Sequence, residues 1–242
     1  MSNRLQNCVA MVTGAGSGIG RAIALELSQQ GAVLWLVGRD TRKLETVREI
    51  IQAPAAVVHR TDLQEDRDIE MLVEAINHQH DRLDILVHAA GAIAFGPIES
   101  APVDELDRQF HINVRAPYLL TQRLLPLLKK SQGQVVFINS SVGQRGKEGV
   151  GAYGATKHAL KGLADTLRLE ANASGIRVLS VFPGNTATPM QEAVQEHMGQ
   201  RVDPAYLLQP EDVAAVVAHS LCLPRTAEVT DIHIRPFRKA PA

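Results

Sequence analysis

Tyr153 and Lys157 stand four residues apart where a helix begins, a spacing that projects both side chains from one helical face. A phenol with a pKa of about 10 is a poor acid or base near neutrality, and a cation a few ångströms away favours its ionised form. The pair therefore offers an acid/base group, with Lys157 expected to lower the Tyr153 pKa. Taken alone, it would be read first as surface packing. Ser140 and its neighbour Ser141 follow an apolar run that ends where open α/β sheets bind ligands. A hydroxyl there can hydrogen-bond an oxygen on which negative charge develops. Asn113 is followed four residues later by Pro117, which has no N–H to close the helical bond to the Asn113 carbonyl. That carbonyl needs another partner, such as a water, unless the kink serves packing only.

A second constellation lies near the amino terminus. Thr13-Gly14-Ala15-Gly16-Ser17-Gly18-Ile19-Gly20 joins a β-rich run to a helical one. Glycine suits a tight turn that a phosphate must approach closely, and the helix behind it aims free N–H groups and its positive dipole end at the anion. In this context the run predicts dinucleotide binding. An acidic residue at the end of the second strand would accept the ribose hydroxyls of NAD; the sequence has Gly38-Arg39 instead. The Arg39 guanidinium can pair with a 2′-phosphate, so NADP(H) is preferred and NAD(H) is the alternative. The plainer use of Arg39 is a surface pair with Asp40 or Glu45.

The elements that must position these groups follow from the hydrophobic pattern. Strands are expected at Cys8–Thr13, Val33–Val37, Ala56–His59, Ile85–His88, Gln134–Asn139, Val178–Phe182 and Ile232–Ile234. Helices are expected from the glycine turn to about Gln30, at Thr41–Ile51, Glu65–Asn77, Val103–Lys130, Tyr153–Ala173 and Pro210–Leu221. The alternation predicts a doubly wound parallel sheet of about seven strands with helices on both faces, a Rossmann fold. Residues 1–242 read as a single dinucleotide-binding and catalytic domain, with a less regular, substrate-covering segment near 185–208.

Bulk composition narrows the classes. Lys and Arg total 25 against 26 Asp and Glu, interspersed, which gives no electrostatic footprint for nucleic acid or an anionic membrane. Cys8 and Cys222 lie far apart in apolar runs and read as buried free thiols, and no metal-ligand spacing occurs. His78 and His80 read as a solvated helix end. The apolar run Val9–Val12 is too short for a signal segment, and no stretch is long enough to span a membrane, so a cytoplasmic location is expected. From Arg235 to Ala242 the chain reads as a loose tail.

With these residues in place, the chain resembles the short-chain dehydrogenase/reductase family over nearly all of its length. The glycine run has that family's TGxxxGxG form, and Asp62-Leu63 looks like its adenine-ring contact. His88-Ala89-Ala90-Gly91 is similar to its N-N-A-G segment, with histidine and alanine in place of the two asparagines. Ser140, Tyr153 and Lys157 fall at the family's catalytic spacing, which selects Ser140 over Ser141, and Asn113 matches a fourth member. Pro183-Gly184, with Thr186 and Thr188, resembles the segment that holds the nicotinamide end.

The resemblance implies hydride transfer between NADP(H) and a carbonyl or secondary alcohol. Ser140 would steady the oxygen, Tyr153 would pass the proton, and Lys157, Asn113 and a water would refill it. Lys157 would also hold the nicotinamide ribose. The cofactor would rest on Thr13, Gly14, Ser17, Gly18, Ile19, Gly20, Arg39, Asp62, Leu63, Ala90, Gly91, Tyr153, Lys157, Pro183, Gly184, Thr186 and Thr188. The family resemblance also implies a homodimer or homotetramer through the two long helices.

Substrate selection is expected in residues 185–208, 142–150 and 93–96. Met190, Val194, Met198, Tyr206 and Leu207 could form an apolar lid or simply pack, and Arg145 and Lys147 could meet an anionic substrate or only solvent. The competing class is a dinucleotide-binding sensor or scaffold without turnover. It would be favoured by loss of Ser140, Tyr153 or Lys157, all of which are present. An NAD-dependent alcohol dehydrogenase is the other alternative.

Overall fold

The structure is a computed structural model and describes residues 4–51 and 56–238. The expected tail is described only to Arg238, and 239–242 lie outside the described residues.

Seven strands form one sheet: β1 Val9–Thr13, β2 Val33–Gly38, β3 Ala56–Arg60, β4 Ile85–His88, β5 Gln134–Ile138, β6 Arg177–Pro183 and β7 Asp231–Ile234. Their order is β3-β2-β1-β4-β5-β6-β7, and every pairing is parallel. The strand order reverses between β1 and β4, the switch point at which open sheets leave a crevice beyond their carboxyl ends.

Every residue of β1, β4 and β5 is buried, as strands covered on both faces require. Period-two alternation divides their side chains between two cores. Ala10, Val12, Leu34 and Leu36 join one core with Ile23 and Leu27 of α1 (Gly18–Gln29) and Val213 and Val217 of α8 (Pro210–Leu221). Met11, Trp35 and Val37 join the other with Ile69 and Leu72 of α3 (Asp66–Gln79) and with Leu120 and Leu124 of α5 (Ala116–Ser131). Trp35, Phe137 and Phe182 are among the largest fully buried side chains, each contributing roughly 1.5–3 kcal/mol by burial. The second helix, α2, covers Thr41–Ile50.

The boundaries follow the sequence pattern within about two residues, with two informative departures. The helix expected from Val103 is divided into α4 Val103–Phe110, a π-helical turn His111–Arg115 and α5 Ala116–Ser131. Pro117 is the second residue of α5, and the Ala116 N–H bonds back to the His111 carbonyl, five residues earlier. The irregular segment contains α7, Pro189–His197, whose first turn is capped by Thr188 Oγ1 accepting from the Gln191 N–H at 3.2 Å. Helix α6 covers Gly151–Ala171.

His80 is not simply solvated: its ring packs edge-on against Trp35, with centroids 5.9 Å apart. Cys8 and Cys222 are free but half-buried rather than buried. Among the described residues, no helix is long and apolar enough to cross a membrane, and no His/Cys/Asp/Glu cluster could hold a metal ion.

Candidate active site

The turns after β1, β4, β5 and β6 open into one cleft of about 870 Å³. At its base lies the glycine turn. Gly14 has φ +68°, and a Cβ there would sit 2.8 Å from the Ala90 amide nitrogen. A Cβ on Gly20 would run into the Gly14 carbonyl. The backbone of Ala89–Ala90 can close on the turn only because those side chains are absent. Ser17 precedes α1 without a side-chain cap, so the leading amides of the helix face the cleft available to an anion. Cradle and helix end together fit a dinucleotide pyrophosphate.

Gly14, Ser17, Gly18, Ile19 and Gly20 line the cleft, and Thr13 does not. The Thr13 hydroxyl is buried; it donates to the Val87 carbonyl at 3.3 Å and accepts from the Ala89 and Ala90 amides, each at 3.2 Å. Thr13 therefore splices the turn to the opposite wall. His88, the departure from the family pattern, is also turned inward. It stacks on Phe137 with centroids 5.0 Å apart, and its Nε2 lies 2.8 Å from Thr121 Oγ1. Burial pulls its pKa down to about 3, which keeps the ring neutral.

At the adenosine end the cleft is lined by Arg39, Asp62 and Leu63 together with Gly38 and Lys43. The plainer pairing of Arg39 is not observed. Asp40 caps α2 and lies 4.0 Å from Lys43, Glu45 pairs with Arg48 at 2.6 Å, and exposed Arg39 forms no ion pair among the described residues. Asp62 closes a local turn by accepting from the Gln64 N–H at 3.0 Å.

Ser140, Tyr153 and Lys157 meet in the same cleft. Ser140 follows β5 in extended conformation and lines the cleft together with Tyr153. Tyr153 and Lys157 lie on the first turns of α6, both buried. Lys157 Nζ sits 5.7 Å from the Tyr153 ring centroid and donates to the Ile138 carbonyl at 3.0 Å.

The protonation balance departs from the expectation that Lys157 lowers the Tyr153 pKa. Burial pushes Tyr153 up to about 12, against the opposing pull of the neighbouring Ser140 side chain, and pulls Lys157 down to about 8. Removing solvent from both groups disfavours both charged forms. The phenol is thus held protonated at neutral pH, ready to act as a donor.

Asn113 lies in the π-helical turn, behind the cleft rather than on its surface. Its side chain is fully engaged: Nδ2 donates to the Ala92 carbonyl at 2.8 Å and to Thr156 Oγ1 at 3.0 Å, while Oδ1 accepts from the Ala92 N–H at 2.8 Å. Ala90, Gly91, Pro183, Gly184, Thr186 and Thr188 complete the lining expected for the nicotinamide end.

Of the expected lid residues, Met190, Val194 and Met198 line the cleft; Tyr206 and Leu207 do not. Lys147 reaches it and Arg145 does not. Two features escaped the sequence pattern. Phe95 and His197 stack across the mouth with centroids 4.5 Å apart. Asn139 bonds both its neighbour Ser140 and the backbone of Lys157. Neither has a local sequence signal, because each contact joins distant segments.

The family model for short chain dehydrogenases matches residues 8–199, and the chain belongs to that family of NAD(P)-dependent oxidoreductases. An uncharacterized oxidoreductase of Staphylococcus epidermidis is 33% identical over 234 residues, covering 96% of this chain and 99% of that protein. A metagenomic short-chain oxidoreductase solved in complex with NADP superposes with a TM-score of 0.84 at 32% identity, covering 98% of this chain and 100% of the other. An alcohol dehydrogenase of Thermococcus sibiricus, complexed with 5-hydroxy-NADP, superposes with a TM-score of 0.88 at 25% identity over 98% of this chain and 100% of that one.

Proposed function

We propose that the protein is an NADP(H)-dependent oxidoreductase that interconverts a small carbonyl compound and its secondary alcohol through Ser140, Tyr153 and Lys157, with Asn113 behind them. The observation that carries this reading is the convergence of Ser140 with buried Tyr153 and Lys157 in the same cleft as the glycine turn, the Lys157 ammonium 5.7 Å from the Tyr153 ring centroid. The NADP preference is supported by Arg39, which forms no ion pair among the described residues and lines the cleft with Lys43, and by the NADP bound in the related structures.

The glycine turn and the α1 amides would hold the pyrophosphate, Arg39 the 2′-phosphate, and Lys157 the nicotinamide ribose. When bound, the cofactor supplies or accepts the hydride. The Ser140 hydroxyl hydrogen-bonds the substrate oxygen as charge grows on it. Tyr153 donates its phenolic proton to that oxygen during reduction and takes one back during oxidation. Lys157 shares its ammonium protons with this network, and the Asn113 carbonyl, which Pro117 cannot satisfy, anchors the return path.

NADPH consumption across ketones, aldehydes and keto-esters tests the reading. Tyr153→Phe should lower kcat about 10³-fold while NADPH still binds. A variant that keeps wild-type turnover would show that the proton comes from elsewhere.

A further inference from the structure

Asn139 directly follows β5, and its side chain is almost completely buried beside the reacting groups, with 4% of the residue surface accessible. Its amide donates to the Val181 carbonyl at 2.8 Å, which anchors it to β6. Both ends of its carboxamide are used. Oδ1 accepts from the Ser140 N–H at 2.8 Å, and Nδ2 donates to the Lys157 carbonyl at 3.1 Å across 18 residues of chain. Lys157 answers with its own ammonium on the Ile138 carbonyl at 3.0 Å. Strand end and helix are therefore tied at two points.

The space around this knot is closed. A Cβ on Gly143 would strike Asn139 Oδ1 and lie 3.0 Å from the Lys157 carbonyl oxygen. Only a carboxamide presents a donor and an acceptor on one short planar group; aspartate has the shape without the donor, and alanine has neither. Ser140 Oγ accepts from the Val142 N–H at 3.3 Å, which leaves its proton and its remaining lone pair to serve Tyr153 and a substrate oxygen.

We propose that Asn139 is a positioning residue that clamps Ser140 to the backbone of Lys157 and so aims the Ser140 hydroxyl at Tyr153. The proposal rests on the assignment of Ser140, Tyr153 and Lys157 as the reacting set. Losing the clamp leaves the half-buried Ser140 amide without this partner and lets the hydroxyl drift, and displacements of this kind cost up to about 100-fold in rate.

The test is a double-mutant cycle on the full-length enzyme, with kcat, KM and NADPH Kd measured for Asn139→Ala, Ser140→Ala and the pair. Asn139→Ala is expected to lower kcat about 10- to 100-fold with NADPH Kd changed less than about twofold. The double variant should be no slower than Ser140→Ala alone, since the clamp acts only through that hydroxyl. Should Asn139→Ala fail to fold, Asn139→Asp keeps the shape, removes the donor and carries the same cycle. Losses that multiply independently, or unchanged kcat in both Asn139 variants, would overturn the clamp. Full activity in Tyr153→Phe would instead sink the underlying assignment, so the two failures are distinguishable.

Discussion

The inner wall of the cleft, running from Gly14 to Gly20 and from Ala89 to Gly91, is largely backbone, whereas the outer wall is the side chains of α7. The inner wall is held by steric exclusion at the glycines and by the Thr13 splice, with the sheet directly beneath it. Helix α7 contributes no buried residue; Met198 is half exposed, and the far end of the helix rests on the Phe95–His197 stack. A surface that must accept one fixed cofactor is specified by main chain and by missing side chains. The opposite side of the cleft is lined by flexible groups such as Met190 and Met198, which can change with little cost to the fold.

The contrast breaks most sharply at Gly20. Gly20→Ala pushes a methyl group into the Gly14 carbonyl and should cost about 2–3 kcal/mol of stability, read from urea unfolding, together with about a hundredfold or complete loss of NADPH affinity. Unaltered binding would mean that the turn is softer than its packing indicates. Arg39→Ala should weaken NADPH binding about tenfold and leave NADH unchanged, as measured by fluorescence titration. Equal effects on the two cofactors would remove the 2′-phosphate role.

Beneath the inner wall, His88 gives that side a dependence on acid. Its folded pKa of about 3 lies below the ordinary histidine value of 6.5, so the unfolded chain takes up a proton first. Stability should fall as pH drops from 6.5 toward 3, by about 1 kcal/mol between pH 7 and 5.5. His88→Asn should flatten that limb, and an identical limb in the variant would assign it to other groups. The smallest effect is expected on the outer wall. Met198→Ala should change unfolding free energy by less than about 0.5 kcal/mol while shifting KM between bulky and small ketones. A large stability loss there would erase the distinction between the two walls.

Sequence made the scaffold and the clustering of Ser140, Tyr153 and Lys157 legible because both rest on local pattern: apolar periodicity for β1 to β6, and fixed spacings for the glycine turn and for those three residues. Thr188-Pro189 carries an ordinary helix-start signal, a capping hydroxyl before proline, so α7 was readable in a stretch that otherwise lacks a regular pattern. The Asn139 clamp and the Phe95–His197 stack were not readable, since each depends on segments that meet only after the sheet has formed. The direction of the Tyr153 shift was hidden for a related reason: spacing reveals a neighbouring cation, but only folding reveals how much water is lost. Thr13 shows a third kind of gap. Its place beside the glycine turn predicts a ligand contact, yet its side chain points into the protein.

The π-helical turn at His111–Arg115 sets the angular phase of a long helix. Leu120, Leu124 and Leu127 form the buried row that follows it, while Asn113 is turned toward Ala92 and Thr156. A regular α-helix advances about 100° per residue, so a chain one residue shorter here would place either the leucine row or Asn113 correctly, but not both. That single additional residue decouples the two halves of the helix, and lets one half be tuned for packing and the other for the cleft.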